Sequence, residues 1–324
     1  MNLKCKNKIE NFLTKNNLVD NYNILELLEE QNLENIIDKL ESLPQDELTN
    51  FALECVCEEL LITASYKIER TGMKLGLHRM EYILELFNHP EKDLKVIHVA
   101  GTNGKGSTCS YIKDILKTKY RVGLYSSPGM LSFNDRIRIN DDFIPYKEAY
   151  RLYKEVVKVY DANNPDPSDK LSFFEIITAV ALLYFRDQKT DFVIMEVGLG
   201  GRYDGTNIFK EKLLSIITKI GLDHTAILGD SLEKIAYEKA GIIQENDNVL
   251  IYPANDSIVD VISNICKEKN AKLSILDENN IEIKDIGAHG NKFSFRNINY
   301  TTKMVGQHQI CNASLALAAI FNLR

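Results

Sequence analysis

The sequence predicts an α/β fold: a parallel sheet with helices on both faces, a helical N-terminal extension and a small antiparallel β portion near the C-terminus. Three observations predict it. From about residue 94, continuous apolar runs of strand length alternate with helical runs, the pattern of a sheet covered on both faces. One of these strands runs through a glycine turn with a single lysine into a helix, the arrangement of a phosphate-binding loop. Residues 1–62 contain no glycine and repeat apolar residues at three- and four-residue spacing.

The elements follow in order. Residues 23–43 (NILELLEEQNLENIIDKLESL) and 44–61 (PQDELTNFALECVCEELL) read as helices, the second after a proline start. This module either packs on the main domain or docks a partner. A glycine-bearing loop at 71–77 precedes a helix that starts near His78. Residues 94–100 (LKVIHVA) are a strand, 105–118 a helix, and 121–127 (RVGLYSS) a strand that ends in a loop with Pro128 and Gly129. Helices follow at 146–160 and 173–185, joined by the polar surface loop DANNPDPSDK. Strands at 191–197 and 213–220, a helix at 231–243, a strand at 248–253 and a helix at 258–269 continue the alternation. Residues 280–305 suggest short antiparallel strands, and a last helix covers 308–324.

Composition bounds the function. The 324 residues are 44% hydrophobic and 26% charged, which suits a globular protein of two domains, or one domain with an appendage. A net charge of −7 argues against a broad nucleic-acid surface but leaves room for a nucleotide in a local loop. The N-terminus has no apolar core of a signal peptide, and no run of 18 apolar residues spans a membrane. Six cysteines are scattered without a C-x-x-C pair. Cys55 and Cys57 stand two apart on a helix and point to nearly opposite sides, so reduced thiols of a cytoplasmic protein are expected.

Four clusters carry chemistry. In Gly101-Thr102-Asn103-Gly104-Lys105-Gly106-Ser107, glycines let backbone N–H groups turn toward one anion and the helix offers its positive end. Lys105 can reach terminal phosphates, and the Ser107 hydroxyl can face a phosphate or metal. The spelling departs from G-x-x-x-x-G-K-[ST]: Val99 stands at the first glycine, and Gly106 follows the lysine. The second cluster runs from Met195 to Asn207, where an apolar strand delivers Glu196 at its carboxyl end, ahead of Arg202 and Asp204. Glu196 reads as a Mg²⁺ ligand or as a turn-capping carboxylate. Asp223 and His224 follow the next strand, and His224 suits a metal, a hydrogen bond or a base. Lys239 sits on a helix whose apolar neighbours draw its stem inward.

Taken together, these clusters resemble the folylpolyglutamate synthase and dihydrofolate synthase family, within the Mur-type ATP-dependent amide ligases. The resemblance rests on KLGLHRMEYIL, VIHVAGTNGKGST, YSSPGML, FNDRIRI, SFFEIITA, MEVGLGGRYDGTN, GLDHTAILG, EKAGII and GQHQICNASLALAA, in family order from about Ser65 to the C-terminal end. It implies a P-loop fold of the Mur-ligase central-domain type over residues 63–324, after the extension at 1–62. It implies ATP at Thr102, Asn103, Gly104, Lys105, Gly106 and Ser107, with His308 and Asn312 near the adenine. Ser127, Glu196 and His224 then match the family's metal positions for Mg²⁺, with a second Mg²⁺ or K⁺ left open. Lys239 matches a lysine that is carbamylated in the family, and Lys105, Lys239 and His224 are the catalytic candidates. Gly76, Leu77 and Phe174 fall in segments lining the pterin site, and Arg202 and Asp204 are taken as substrate-binding.

The implied reaction joins L-glutamate to dihydropteroate or a folate through an acyl phosphate made with ATP. Those small molecules are the expected partners, without nucleic acid or membrane, and with a protein partner for the N-terminal helices left open. Three departures stand against the family pattern. Gly129 follows Pro128 where the family has His, and Asp204-Gly205-Thr206-Asn207 replaces D-A-T-N. The family's second α/β domain, with its D-G-A-H-N-P motif, is expected to be absent. Asp285–Gly290 (DIGAHG) is a look-alike read as a turn between strands. Two rival readings remain: a nucleotide-binding module without catalysis, and a cell-wall Mur ligase.

Overall fold

The computed structural model describes residues 3–29, 32–69, 76–129 and 132–323. Along the chain come α1 (Leu3–Asn16), α2 (Ile24–Leu27), α3 (Leu33–Ser42), α4 (Glu47–Glu69), α5 (His78–Leu86), β1 (Val96–Ala100), α6 (Lys105–Leu116) and β2 (Val122–Tyr125). Then follow β3 (Ile137–Ile139), β4 (Asp142–Phe143), α7 (Tyr146–Asn163), α8 (Phe173–Asp187), β5 (Phe192–Glu196) and β6 (Leu214–Ile217). The chain continues with α9 (Thr225–Leu228), α10 (Leu232–Lys239), β7 (Asn248–Ile251), α11 (Asp256–Glu268) and β8 (Lys272–Ile275). It closes with β9 (Ile281–Gly287), β10 (Gly290–Phe295), β11 (Ile298–Thr302) and α12 (Gln307–Asn322).

The chain divides into two compact units. One comprises Met1–Lys74, Met130–Asp135 and Phe143–Val180; the other comprises Leu75–Gly129, Arg136–Asp142 and Ala181–Arg324. The division expected at residue 62 differs from this, because α4 runs unbroken from Glu47 to Glu69. The first unit is helical. Ile9, Ile36, Leu40, Leu53, Val56 and Leu61 are buried in it, and Phe12 stacks on Phe51 with ring centroids 4.1 Å apart. Its N-terminal helices also take in α7. The Glu54 carboxylate on α4 accepts the backbone N–H of Tyr146 (2.6 Å) and Lys147 (3.2 Å). It satisfies two donors that the first turn of α7 leaves without an intrahelical partner.

The second unit is built on an eight-stranded sheet in the order β4-β3-β2-β5-β1-β6-β7-β8. The six strands from β2 to β8 in that order run parallel, and β3 pairs antiparallel with β2. β1, β2 and β6 are buried at every residue, as a sheet covered on both faces requires. Side chains alternate between the faces. Ile97 and Val99 pack with Cys109 and Ile112 of α6, Ile310 and Ala316 of α12, and Phe293 and Phe295 of β10. Ala100, Ile217 and Val249 pack on the other face with Ala236 of α10 and Ile258 and Ile262 of α11. The order β11-β10-β9 forms a separate antiparallel sheet. Ala288 and His289 make the turn between β9 and β10, so DIGAHG is a hairpin end, as expected. No helix among the described residues is long and apolar enough to cross a membrane.

Candidate active site

The sheet order decides where a site can form. From β1 the chain leaves toward β2, while from neighbouring β6 it leaves toward β7 on the other side. β2 and β5 diverge in the same way, toward β3 and β6. Diverging connections open a crevice at the carboxyl ends of the strands, where open α/β sheets bind ligands. Lys105, Ser127, Glu196 and Lys239 all lie on segments at these two crevices.

The loop after β1 is held by its neighbour. The backbone N–H groups of Thr102 and Asn103 donate to the Lys219 carbonyl at 3.0 and 3.2 Å, and the Thr102 hydroxyl donates to the Gly221 carbonyl at 3.0 Å. Two of its glycines are dictated by geometry. Gly101 has φ +146°, and a Cβ there would stand 1.8 Å from Thr218 Oγ1. Gly104 has φ +88°, and its Cβ would stand 2.3 Å from Asn312 Oδ1. Gly106 is different: a Cβ there would meet Glu196 at an ordinary 3.6 Å. Lys105 opens α6, and its ammonium donates to the Gly101 carbonyl at 3.0 Å. α12 backs the loop, with Gln309 Nε2 donating to Ser107 Oγ at 3.3 Å.

Glu196 ends β5 and is 5% exposed. It accepts the Ser127 backbone N–H at 3.3 Å. Burial pushes its carboxyl up to about 7, against the opposing pull of Lys105 and the Ser127 and Gly106 amides. Ser127 Oγ beside it is buried without a hydrogen-bond partner. A buried carboxylate short of positive charge and an orphaned hydroxyl oxygen are the hard donors that a Mg²⁺ ion takes. His224 stands apart from this pair in character. It is exposed, has φ +47°, and lies 3.7 Å from Asp223 Oδ2. Among the described residues, no group of three or more His, Cys, Asp or Glu side chains could hold a metal.

Lys239 ends α10 and is 4% exposed. Its ammonium donates to the Gly101 carbonyl at 2.9 Å, the same oxygen that Lys105 contacts. Burial, with the Lys105 charge adding to it, lowers its amine to about 8. Segment 198–207 docks against this end of α10. A Cβ at Gly201 would stand 2.8 Å from the Glu238 and Lys239 carbonyl oxygens, and a Cβ at Gly241 would stand 2.4 Å from Arg202 Cβ. The Arg202 guanidinium lies 4.0 Å from the Tyr237 ring centre, and Asp204 is buried.

Other expected site residues stand as follows. Asn312 lies against the phosphate loop, and His308 is exposed in the first turn of α12. Gly76 and Leu77 precede α5, with φ +125° at Gly76, and Phe174 is in the first turn of α8. The glycine-bearing loop expected at 71–77 lies outside the described residues except for Gly76 and Leu77. Sequence reasoning missed Gln309 and Thr218 as supports of the loop. Gln309 could have been found from its place one turn before Asn312 on the same helix.

A lysine-bearing phosphate loop at the switch point of a parallel sheet, with a second buried lysine at its base, defines an α/β protein of the phosphate-loop class. Residues 99–320 match the Mur ligase middle domain. The chain belongs to the Mur ligase family, in its dihydrofolate synthase/folylpolyglutamate synthase branch. It is 39% identical over 256 residues to the dihydrofolate synthase/folylpolyglutamate synthase of Bacillus subtilis, covering 76% of this chain and 59% of that protein. It is 37% identical to the dihydrofolate synthetase of Saccharomyces cerevisiae, covering 64% of this chain and 48% of that protein. The chain thus spans about half to six-tenths of these relatives. The folylpolyglutamate synthase of Thermotoga maritima superposes with a TM-score of 0.72 at 30% identity, over 82% of this chain and 62% of that one. A folylpolyglutamate synthase of Mycobacterium tuberculosis, solved with ADP and AMPPCP, gives 0.74 at 27% identity, over 83% and 62% of the two chains.

Proposed function

We propose that this chain is the ATP-binding part of a ligase that joins L-glutamate to dihydropteroate or a folate. The observation that carries the reading is the convergence of Lys105 and Lys239 on one carbonyl oxygen at the foot of a phosphate loop, beside the Glu196–Ser127 corner. Two ammonium groups brought to one point suit an anion, and a triphosphate supplies it. The chemistry has one main obstacle: an anionic carboxylate must attack an anionic γ-phosphate. Lys105 lowers that repulsion, and the loop amides fix the phosphate in line. Transfer gives an acyl phosphate and ADP. The glutamate amine then attacks the acyl carbon and phosphate leaves, forming the amide.

Glu196 and Ser127 would hold a Mg²⁺ ion, which when bound neutralises phosphate charge. Whether His224 joins it, and whether a second Mg²⁺ or K⁺ binds, belongs to the same reading. Lys239 has the property carbamylation needs, an amine with its proton loosely held near neutral pH; the product would carry a carboxylate in place of a cation. His308 and Asn312 are assigned to the adenine side, and Gly76, Leu77 and Phe174 to the pterin side. Free cysteines, most of them buried, support a cytoplasmic protein. The N-terminal helices bury apolar faces within their own unit, which supports packing over docking of a partner.

The test has two arms. Calorimetric titration with ATP and Mg²⁺ examines nucleotide binding, and incubation with dihydropteroate, ATP and labelled glutamate examines ligation. Binding with no labelled folate would restrict the chain to the nucleotide half of the reaction. Absence of binding would sink the reading.

A further inference from the structure

We propose that Asp204, backed by Thr206 and His98, is a positioning residue that holds segment 198–207 against the end of α10 and thereby fixes where Lys239 stands. Asp204 is 7% exposed, and both its oxygens are engaged. Oδ2 accepts the Leu199 backbone N–H at 2.7 Å, and Oδ1 accepts the Thr206 backbone N–H at 3.0 Å and the Thr206 hydroxyl at 2.5 Å. One carboxylate therefore closes the segment on itself. This holding role stands beside the substrate contact that resemblance implied.

Behind the segment stands His98 of β1, fully buried. Its Nε2 lies 2.9 Å from Thr206 Oγ1. Because that hydroxyl donates to Asp204, it accepts from His98, which sets the Nε2–H tautomer. The chain His98 → Thr206 → Asp204 thus anchors the segment to the sheet core. In front, the segment grips α10 and the turn after it. The Arg202 backbone N–H donates to the Glu238 carbonyl at 2.9 Å, and Asn207 Nδ2 donates to the Gly241 carbonyl at 3.0 Å. Lys239 lies between these two carbonyls in sequence, so its ammonium reaches Gly101 only while the grip holds. The consequence for nucleotide chemistry rests on the ligase reading; the placement of Lys239 does not.

The experiment is acylation of lysines in the full chain, followed by mass spectrometry, with no nucleotide or folate present. Failure of the ligase reading would not move its result. Thr206→Val removes the hydroxyl at constant shape, and Thr206→Ser restores it. His98→Leu removes the donor behind it without touching the segment. Lys113, buried on α6 and paired with Asp141 at 2.8 Å, serves as the control. The expected result is labelling of Lys239 at least fivefold faster in Thr206→Val and His98→Leu, with Lys113 unchanged and Thr206→Ser near wild type. Lys239 labelling within twofold of wild type in either variant would overturn the proposal. An equal rise at Lys113 would also overturn it, because that reports general loosening and not a local grip.

Discussion

Replacing Glu196 by Gln keeps the shape of the side chain and removes its charge. The carboxyl is 5% exposed, and its pKa stands at about 7 in place of the ordinary 4.5, burial outweighing Lys105 and the two amides. The native state therefore keeps its proton to higher pH than the unfolded chain. Stability is lost as pH rises from 4.5 to 7 and is level above that for this group. At about 1.4 kcal/mol per pKa unit, holding Glu196 ionised costs on the order of 3 kcal/mol at pH 8. Thermal unfolding of both proteins in metal-free buffer measures it. At pH 4 the two should melt together. At pH 8 Glu196→Gln should melt higher, by roughly 5 °C for a chain of this size. ATP with Mg²⁺ should raise the wild type at pH 8 and narrow the gap, since a ligand of the native state stabilises it by mass action. Parallel pH profiles for the two proteins would refute the reasoning, because the carboxylate would then be as well solvated folded as unfolded.

Lys105→Met should weaken ATP by roughly 10- to 100-fold in a calorimetric titration, the worth of one charge-assisted bond, with little change in melting temperature. Gly104→Ala should cost about 2 kcal/mol or more in urea unfolding, because φ is +88° and the new Cβ would meet Asn312 Oδ1 at 2.3 Å. The Lys212–Asp247 ion pair, 3.2 Å apart with side chains 0% and 1% exposed, should respond asymmetrically. Asp247→Leu alone should cost about 3–5 kcal/mol by stranding a buried cation, while Lys212→Met with Asp247→Leu should recover most of it; chemical denaturation separates the two outcomes.

The sheet was legible because its strands are apolar throughout, and the phosphate loop because glycine, lysine and helix start are adjacent in sequence. β8 was not, since Lys272 and Ile275 are exposed at the sheet edge and give no continuous apolar run. β3 and β4 are three and two residues long, too short for a period to show. The boundary near 62 failed to coincide with a unit because the helix period simply continues through α4. At the site, Lys105 and Glu196 could be found as strand-end residues. The burial of Asp204 could not, because it depends on Thr206 meeting His98, 108 positions earlier in the chain. Gly201 and Gly241 each look like ordinary turn glycines. Only the folded chain shows that Gly201 leaves room for the Glu238 and Lys239 carbonyls and Gly241 for Arg202.

The shared carbonyl of Gly101 has one more consequence. Two like charges drawn to one oxygen form a repelling pair, and burial, with the Lys105 charge adding to it, loosens the proton on Lys239. Any polyanion that enters relieves that repulsion, whatever it carries at its far end. The loop therefore supplies attraction without discrimination. On the ligase reading proposed above, choosing adenosine from among other phosphate esters would fall to groups outside the loop, and α12, which bears Gln309 and Asn312 against it, would be the element to couple that choice to the phosphates.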